Sequence, residues 1–377
     1  MPAKSRTEEL RTLLKQVRDG EFDYNSRETP KINWNLYDNA QIKEFANYLD
    51  NLRDLVDEAD KRIKERTPPK KQGVGRPPTD PADIAKILLL QAYTESPNRV
   101  AEGFLYLFRE KFGIDQHFSY KTIERGYDRE AVNKILNENV KITNETVEDK
   151  EVTYSFDGTG FSASNKENYA AKRQKQNSKK NQKKTKSECV NENHDCFPIS
   201  NTARNRGFSY CVMGVGVQYK LISGMAISPD HSIGETTMFP EVFEQTLQCN
   251  PNLMNALGDG IYGCRWITDL VSTNGVIPYF LPRSNVTFRS KGFAGWSDML
   301  YSIWEDTQEW LEHYHMRSIS ETVNSMVMAR FGAPLRKRLD ARKVTETRLK
   351  NVAHNVKRIG YLEIMDGIVP HWPRKAG

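Results

Sequence analysis

The hydrophobic periodicity of the chain changes near residue 151, and this change strongly restricts the fold. Before it, apolar residues recur every three or four positions, as in AQIKEFANYLDNLRDLVDEADKRI, residues 40–63, which is the spacing of an amphipathic helix. After it, EVTYSFDG, residues 151–158, alternates for a few residues and ends in Asp-Gly, as a strand does where it meets a turn. The chain is therefore predicted to place a helical region before a sheet.

The helical part is divided by a proline-rich breaker. Residues 67–81, TPPKKQGVGRPPTDP, contain five prolines and two glycines and predict an extended linker. Residues 1–66 form one predicted helical region, and residues 82–150 form a second one made of short helices. Short helices joined by Gly- or Ser-containing turns fit a DNA-binding helix-turn-helix, but any small helical bundle has the same pattern.

Residues 151–335 are predicted to form one α/β domain. Two consecutive strands, 208–219 and 220–228, precede a helix at 236–247, a strand at 253–260, a helix at 262–274, a strand at 276–283 and a long helical stretch at 296–331. This order predicts a sheet with helices on both faces. A lysine-rich insertion, 165–205, separates the first strand from the second, and a basic helix and tail, 336–377, follow the domain.

Positive charge is concentrated in two zones. The whole chain carries a net charge of +6, whereas residues 161–210 carry +7 and residues 330–358 carry +8, so the remainder is net negative. Two basic zones on a mildly acidic body favour a polyanionic partner, most simply nucleic acid. The alternative is a solvated loop and a charged helix face.

Three acidic residues are candidates for catalysis. Asp157 and Asp259 each follow an apolar strand segment and precede a glycine, and ligands bind α/β sheets at the carboxyl ends of strands. With Glu321 from a later helix, they would supply hard oxygen ligands for two Mg²⁺ or Mn²⁺ ions, which serve phosphoryl transfer. Two ordinary alternatives remain open: Asp-Gly is a common turn, and Glu321 lies four residues after Arg317, the spacing of a surface ion pair.

Other classes of site have weaker support. No apolar run approaches the length of a membrane span, and five scattered cysteines indicate a reducing, cytoplasmic location. The GVGVQ stretch lacks the glycine pattern of a phosphate-binding loop, so no nucleotide cofactor is expected. Cys189, His194 and Cys196 have a non-standard spacing for zinc, and zinc binding there is left open.

Five blocks together resemble the DDE transposases of prokaryotic insertion sequences, over roughly residues 70–360. GRPP (75–78) and FSYKTIERGYD (118–128) are similar to the family's DNA-binding segment, and DGTGFS (157–162) to the block around its first acid. GDGIYGC (258–264) with PYFLPRSN (278–285) is similar to the second-acid block, and Y-x-x-R-x-x-x-E (314–321) to the signature of the third. LKNVAHNVKRI (349–359) is similar to its C-terminal helix.

The resemblance implies a ribonuclease H-like mixed sheet flanked by helices, after an N-terminal all-helical region. It implies a DNA transposase in which Asp157, Asp259 and Glu321 bind two metal ions for strand cleavage and strand transfer. The implied partner is double-stranded DNA. At least a dimer of the protein would bind it at synapsis, and DNA binding would place the protein at the nucleoid. The expected DNA contacts are Tyr314, Arg317, Arg283, Lys179, Lys180, Lys183, Lys184, Arg330, Arg336 and Lys337.

One departure from the signature leaves two alternatives open. The family group with this tyrosine and arginine normally has a lysine seven residues after the glutamate, and here that position is Met328. A cation that grips phosphate would have to come from elsewhere, for example Arg330, Arg336 or Lys337. The alternatives are a non-catalytic DNA-binding protein derived from a transposase and a metal-dependent nuclease without strand transfer.

Overall fold

The computed structural model of the chain describes residues 3–22, 31–67, 78–162, 208–229 and 232–374. The helices before the sheet are α1 (Ala3–Asp19), α2 (Trp34–Ile42), α3 (Glu44–Arg66), α4 (Pro81–Thr94), α5 (Asn98–Phe108), α6 (Tyr120–Gly126) and α7 (Glu130–Glu145). The strands are β1 (Thr153–Ser162), β2 (Phe208–Gly216), β3 (Ile222–Ser228), β4 (Asn255–Gly258) and β5 (Ile277–Phe280). The later helices are α8 (Glu235–Cys249), α9 (Arg265–Thr273), α10 (Ala294–Glu305), α11 (Thr307–Tyr314), α12 (Ser318–Phe331) and α13 (Asp340–Asp366).

The five strands form one mixed sheet in the order β3-β2-β1-β4-β5. β2 runs antiparallel to both β1 and β3, while β1, β4 and β5 run parallel to one another. The predicted mixed α/β architecture is therefore confirmed. The hairpin predicted from 208–228 is also present, with its turn between β2 and β3.

Helices cover both faces of the sheet because its strands are apolar on both sides. On one face, Met213 and Val215 of β2 pack in a core with α3, α4, α12 and α13. On the other face, Tyr154 and Phe156 of β1 and Val212 of β2 pack in a core with α8, α9 and α10. The alternation follows from the two-residue period of a strand.

The helical region shares its core with the sheet. α3, α4 and α7 pack against one another and against α13, and their buried residues belong to the same cluster as Met213 and Val215. α1 lies elsewhere: Leu10 and Leu14 are buried in the cluster on the opposite face. Most of the predicted linker, residues 68–77, lies outside the described residues.

The long helical stretch predicted at 296–331 is wrong as a single element. The chain leaves helical geometry at Asp306, where φ is −139° and ψ is 84°, and the Asp306 side chain caps α11 by accepting a hydrogen bond from Glu309 N at 2.9 Å. A 3₁₀ turn, His315–Arg317, then separates α11 from α12. Asp306 is a helix-capping residue type, and its side chain competes for backbone donors here.

Glu151 anchors the turn between β2 and β3. Its carboxylate is almost fully buried and accepts hydrogen bonds from the backbone N–H groups of Gln218, at 2.8 Å, and Tyr219, at 2.9 Å. Burial raises the pKa of Glu151 from 4.5 to about 7, although the backbone donors act in the opposite direction. The folded state therefore holds this proton more tightly than the unfolded state does.

The free energy of unfolding is expected to fall as the pH rises from 5 to 8. The stability contributed by the neutral Glu151 carboxyl is complete below its unfolded pKa and is lost as the pH rises through the folded one, a change of about 2–3 kcal/mol. Urea unfolding across this range would measure it, and Glu151→Gln should flatten the profile. An equally steep profile in the variant would contradict the assignment.

Among the described helices, none has both the length and the apolar character that a membrane span requires.

Candidate active site

Asp157 and Asp259 lie side by side because β1 and β4 pair in parallel. The register joins Phe156 to Gly258 as the last pair of this ladder, so Asp157 is the next residue of β1 and Asp259 is the first residue after β4. The sequence predicted that Asp157 lies at the end of a strand. This is wrong for β1 as a whole, because β1 continues to Ser162 in its pairing with β2. The pairing that ends at Asp157 is the one with β4.

α12 crosses β1 on the side to which Asp157 points. Ser155, two residues earlier and on the same side of the strand, donates a hydrogen bond to the Arg317 carbonyl at 2.9 Å and contacts the Ser320 hydroxyl at 3.0 Å. Asn324 Nδ2 donates to Asp157 Oδ2 at 2.9 Å. These contacts fix the start of α12 over the aspartate pair.

Glu321 lies in the first turn of α12 and is held by Arg317. Arg317 Nη1 and Glu321 Oε1 are 3.0 Å apart, and the Glu321 side chain is 60% exposed. The predicted ion pair at this spacing is therefore present. It does not exclude a catalytic role, because an exposed pair of this kind is weak and easily exchanged.

Tyr314 supports Arg317 and has little surface for a direct DNA contact. It is only 5% exposed, its ring stacks on Trp310 with centroids 4.9 Å apart, and the Arg317 guanidinium lies 5.4 Å from its ring centroid. Tyr314 thus contacts Arg317, and Arg317 contacts Glu321. These contacts cross the junction between α11 and α12 and do not follow one helix face. Tyr314 therefore supports the Arg317 guanidinium with a ring that is itself stacked on Trp310.

The three acids are electrostatically coupled. Burial, together with the negative charges of Glu321 and Asp259, raises the pKa of Asp157 from 3.8 to about 6, although the hydrogen bonds from the Gly158 N–H and Asn324 act in the opposite direction. Asp259 and Glu321 also act on the pKa of Arg317, which they raise against the effect of burial. The predicted acids therefore lie within one local field.

A fourth carboxylate, Glu235, was missed by the sequence reasoning. It is the first residue of α8, and a Cβ atom at Gly158 would lie 2.7 Å from its carboxyl carbon. Burial raises the pKa of Glu235, and the charge of Asp157 raises it further. Its position after β3 was a usable signal, but an acid in the first turn of a helix is common for reasons of helix electrostatics alone.

Carboxylate oxygens of this kind suit a hard cation, although the four side chains do not converge on one point as metal ligands do. Within the described ranges, no three His, Cys, Asp or Glu side chains form a group ready to hold a metal ion. Asp259 Oδ1 accepts a hydrogen bond from the adjacent Gly260 N at 2.6 Å, and Glu321 is turned to Arg317. Both carboxylates would need new side-chain rotamers to join Asp157.

A cleft of about 420 Å³ adjoins the Asp259 loop. Gly260, Arg265, Arg283, Asn285 and Trp296 are among its lining residues. Arg283 is exposed, and the Arg265 guanidinium lies 5.0 Å from the Trp296 ring centroid. The cleft therefore places the positive charges of Arg265 and Arg283 beside the loop that carries Asp259.

Among the described residues, three further expected DNA contacts, Arg330, Arg336 and Lys337, have partners other than the acids. Arg330 lies 3.9 Å from the Tyr93 ring centroid and 3.4 Å from Glu44. Lys337 donates to Asn98 at 2.7 Å. Arg336 is exposed beside Glu95, and Met328, at the signature's lysine position, packs against the core. Outside the described residues lie the expected DNA contacts Lys179, Lys180, Lys183 and Lys184 and the zinc candidates Cys189, His194 and Cys196.

Comparison with known proteins did not identify a relative. No family model matches the chain, and no curated protein or solved structure matches it significantly.

Proposed function

We propose that the protein is a DNA transposase of the DDE type, which cleaves and joins DNA strands by metal-dependent phosphoryl transfer. The observation that carries this proposal is the parallel register of β1 and β4, which brings Asp157 and Asp259 side by side under the helix that carries Glu321. The mixed sheet with helices on both faces is compatible with the ribonuclease H-like core that the resemblance implies.

Asp157, Asp259 and Glu321 would hold the divalent ions, and Glu235 would add a negative charge to their surroundings. Bound Mg²⁺ or Mn²⁺ would activate the attacking oxygen and stabilise the leaving oxygen of the phosphodiester. A dication also suits the local electrostatics, since the pKa of Asp157 is raised by burial and by two neighbouring carboxylates.

The remaining residues position the acids and the DNA. Asn324 orients the Asp157 carboxylate through its 2.9 Å hydrogen bond. Once Glu321 turns away, Arg317 is free to hold a phosphate oxygen, with its guanidinium supported by Tyr314. Arg283 and Arg265 line the adjoining cleft, where they would contact the DNA backbone without reading its sequence.

Purified protein, Mg²⁺ and a DNA fragment that carries the genomic sequence on both sides of the coding region would test the proposal. Joining of a cut end to a second DNA molecule is the expected result. Cleavage without joining would indicate the nuclease alternative, and binding without chemistry in either Mg²⁺ or Mn²⁺ would indicate a non-catalytic DNA-binding protein. Either of these outcomes would overturn strand transfer as the function.

A further inference from the structure

A second cleft, of about 280 Å³, lies between α2, α12, α13 and the turn that joins β2 to β3. We call it the cationic pocket. Its charged and aromatic lining consists of Lys220, Arg330, Lys357, Arg358, His354, Glu44, Tyr37, Tyr361 and Phe331. Four of these side chains are cationic at neutral pH and one is a carboxylate, so the pocket is strongly positive.

The single carboxylate neutralises only one side of the pocket. Glu44 pairs with Lys357 at 3.0 Å and with Arg330 at 3.4 Å. Lys220 and Arg358 form no ion pair with any carboxylate in the part of the chain that the structure describes. Burial lowers the pKa of Lys220, and the neighbouring charge of Arg358 lowers it further. Asp366 acts on the pKa of Arg358 without forming an ion pair with it, so two partly buried like charges that no described carboxylate contacts favour an anionic ligand.

The backbone holds Lys220 in a conformation that lysine rarely adopts. Its φ is +59°, in the left-handed region where glycine is normally found. The turn is fixed from α13, since Arg358 Nε donates to the Tyr219 carbonyl at 2.9 Å and His354 Nε2 contacts the Lys220 carbonyl at 2.9 Å. A strained residue kept in this way is a reason to look for a role of its side chain.

An aromatic wall adjoins the cations. The Arg358 guanidinium lies 4.4 Å from the Tyr361 ring centroid, and Tyr37 meets Tyr361 edge-on with centroids 6.4 Å apart. Fixed guanidinium and ammonium groups are well suited to phosphate oxygens. The arrangement thus offers cations for a phosphate and ring surface for the group attached to it.

We propose that the cationic pocket binds a phosphoryl group, carried either by the DNA backbone or by a free nucleotide. The pocket is separate from the candidate active site. Met326, which lines it, lies five residues after Glu321 on α12, so the two side chains point about 140° apart around the helix. The proposal therefore does not depend on catalysis by the three acids.

Paired glycine substitutions in the full-length protein test the pocket. Lys220→Gly removes the ammonium and relieves the left-handed backbone, so its Tm should not fall below that of the parent. Lys291→Gly is the matched control, because Lys291 is an exposed lysine with a φ of +54° elsewhere in the chain. Calorimetric titrations would use inorganic phosphate, adenosine 5′-monophosphate and a short blunt DNA duplex at one fixed salt concentration.

Lys220→Gly is expected to weaken binding of at least one probe by about tenfold, and Lys291→Gly by less than about twofold. A loss confined to the duplex would identify the backbone of DNA as the source of the phosphate, whereas a loss with the mononucleotide would identify a free nucleotide. Unchanged binding of all three probes in Lys220→Gly, or no binding of any probe by the parent protein, would overturn the proposal. Strand joining, measured separately, reports on the proposed function.

Discussion

Replacing Asp157 with asparagine is expected to lower the rates of strand cleavage and strand joining by at least about a thousandfold. The substitution keeps the shape of the side chain and can keep the hydrogen bond from Asn324, but it removes the negative charge that a divalent ion requires. The rates would be measured on labelled element ends with saturating Mg²⁺. Asp157 is the most buried of the three acids, so a water molecule cannot easily take the place of its carboxylate as a metal ligand.

The same variant should not lose stability. Because burial and neighbouring charges raise the pKa of Asp157 to about 6, the ionised carboxylate destabilises the metal-free protein at pH 8, and the neutral amide removes that penalty. The Tm of Asp157→Asn at pH 8 is therefore expected to equal or exceed that of the parent. Asp298→Asn, at an exposed aspartate of α10, is the matched control and should retain full activity. Near-normal rates in Asp157→Asn would remove the basis for the proposed site.

Replacing Asn355 with alanine is expected to lower the free energy of unfolding by about 3 kcal/mol. Asn355 is 0% exposed, and its amide satisfies both backbone groups of Ile222, accepting from N at 2.9 Å and donating to O at 2.7 Å. β3 is an edge strand, so these groups depend partly on α13 for their hydrogen bonds. Alanine would remove the acceptor of the buried Ile222 N–H, while the Ile222 carbonyl would keep the hydrogen bond from Asn144 Nδ2, at 2.8 Å.

Urea unfolding followed by circular dichroism would measure this loss. Asn274→Ala is a suitable control, since Asn274 Nδ2 also donates to a backbone carbonyl, that of Leu270 at 2.8 Å, but at an exposed position. That change should stay within about 0.5 kcal/mol. If the two variants were equally stable, α13 would not be needed to satisfy the sheet edge.

The elements of the fold were largely predictable, because periodicity is a local property of the sequence. The change from helical to strand spacing near residue 151 and the hairpin at 208–228 are both confirmed. Boundaries were less accurate where one side chain decides them. Asp306 divides the long helical stretch by capping α11, an effect that apolar spacing does not report.

The site was predictable only where residues carry a recognisable pattern. Asp157 and Asp259 were placed together by the rule for strand ends, although the pairing of β1 with β4 is what brings them together. Glu235 and Asn324 were missed because their proximity depends on how α8 and α12 cross the sheet. Tyr314 was expected to contact DNA, yet it lies beneath Arg317. Such contacts come from tertiary packing, which spacing along the chain does not record.

The antiparallel ladder of β1 and β2 begins with Ser162 paired to Phe208. The backbone thus leaves the sheet at Ser162 and re-enters it at the directly opposite position, Phe208. A short hairpin turn spans such a pair, and surface insertions at such a point carry only a small thermodynamic cost. The geometry of this junction therefore permits connections of very different lengths between β1 and β2, because the pairing that positions Asp157 does not depend on the length of the connection.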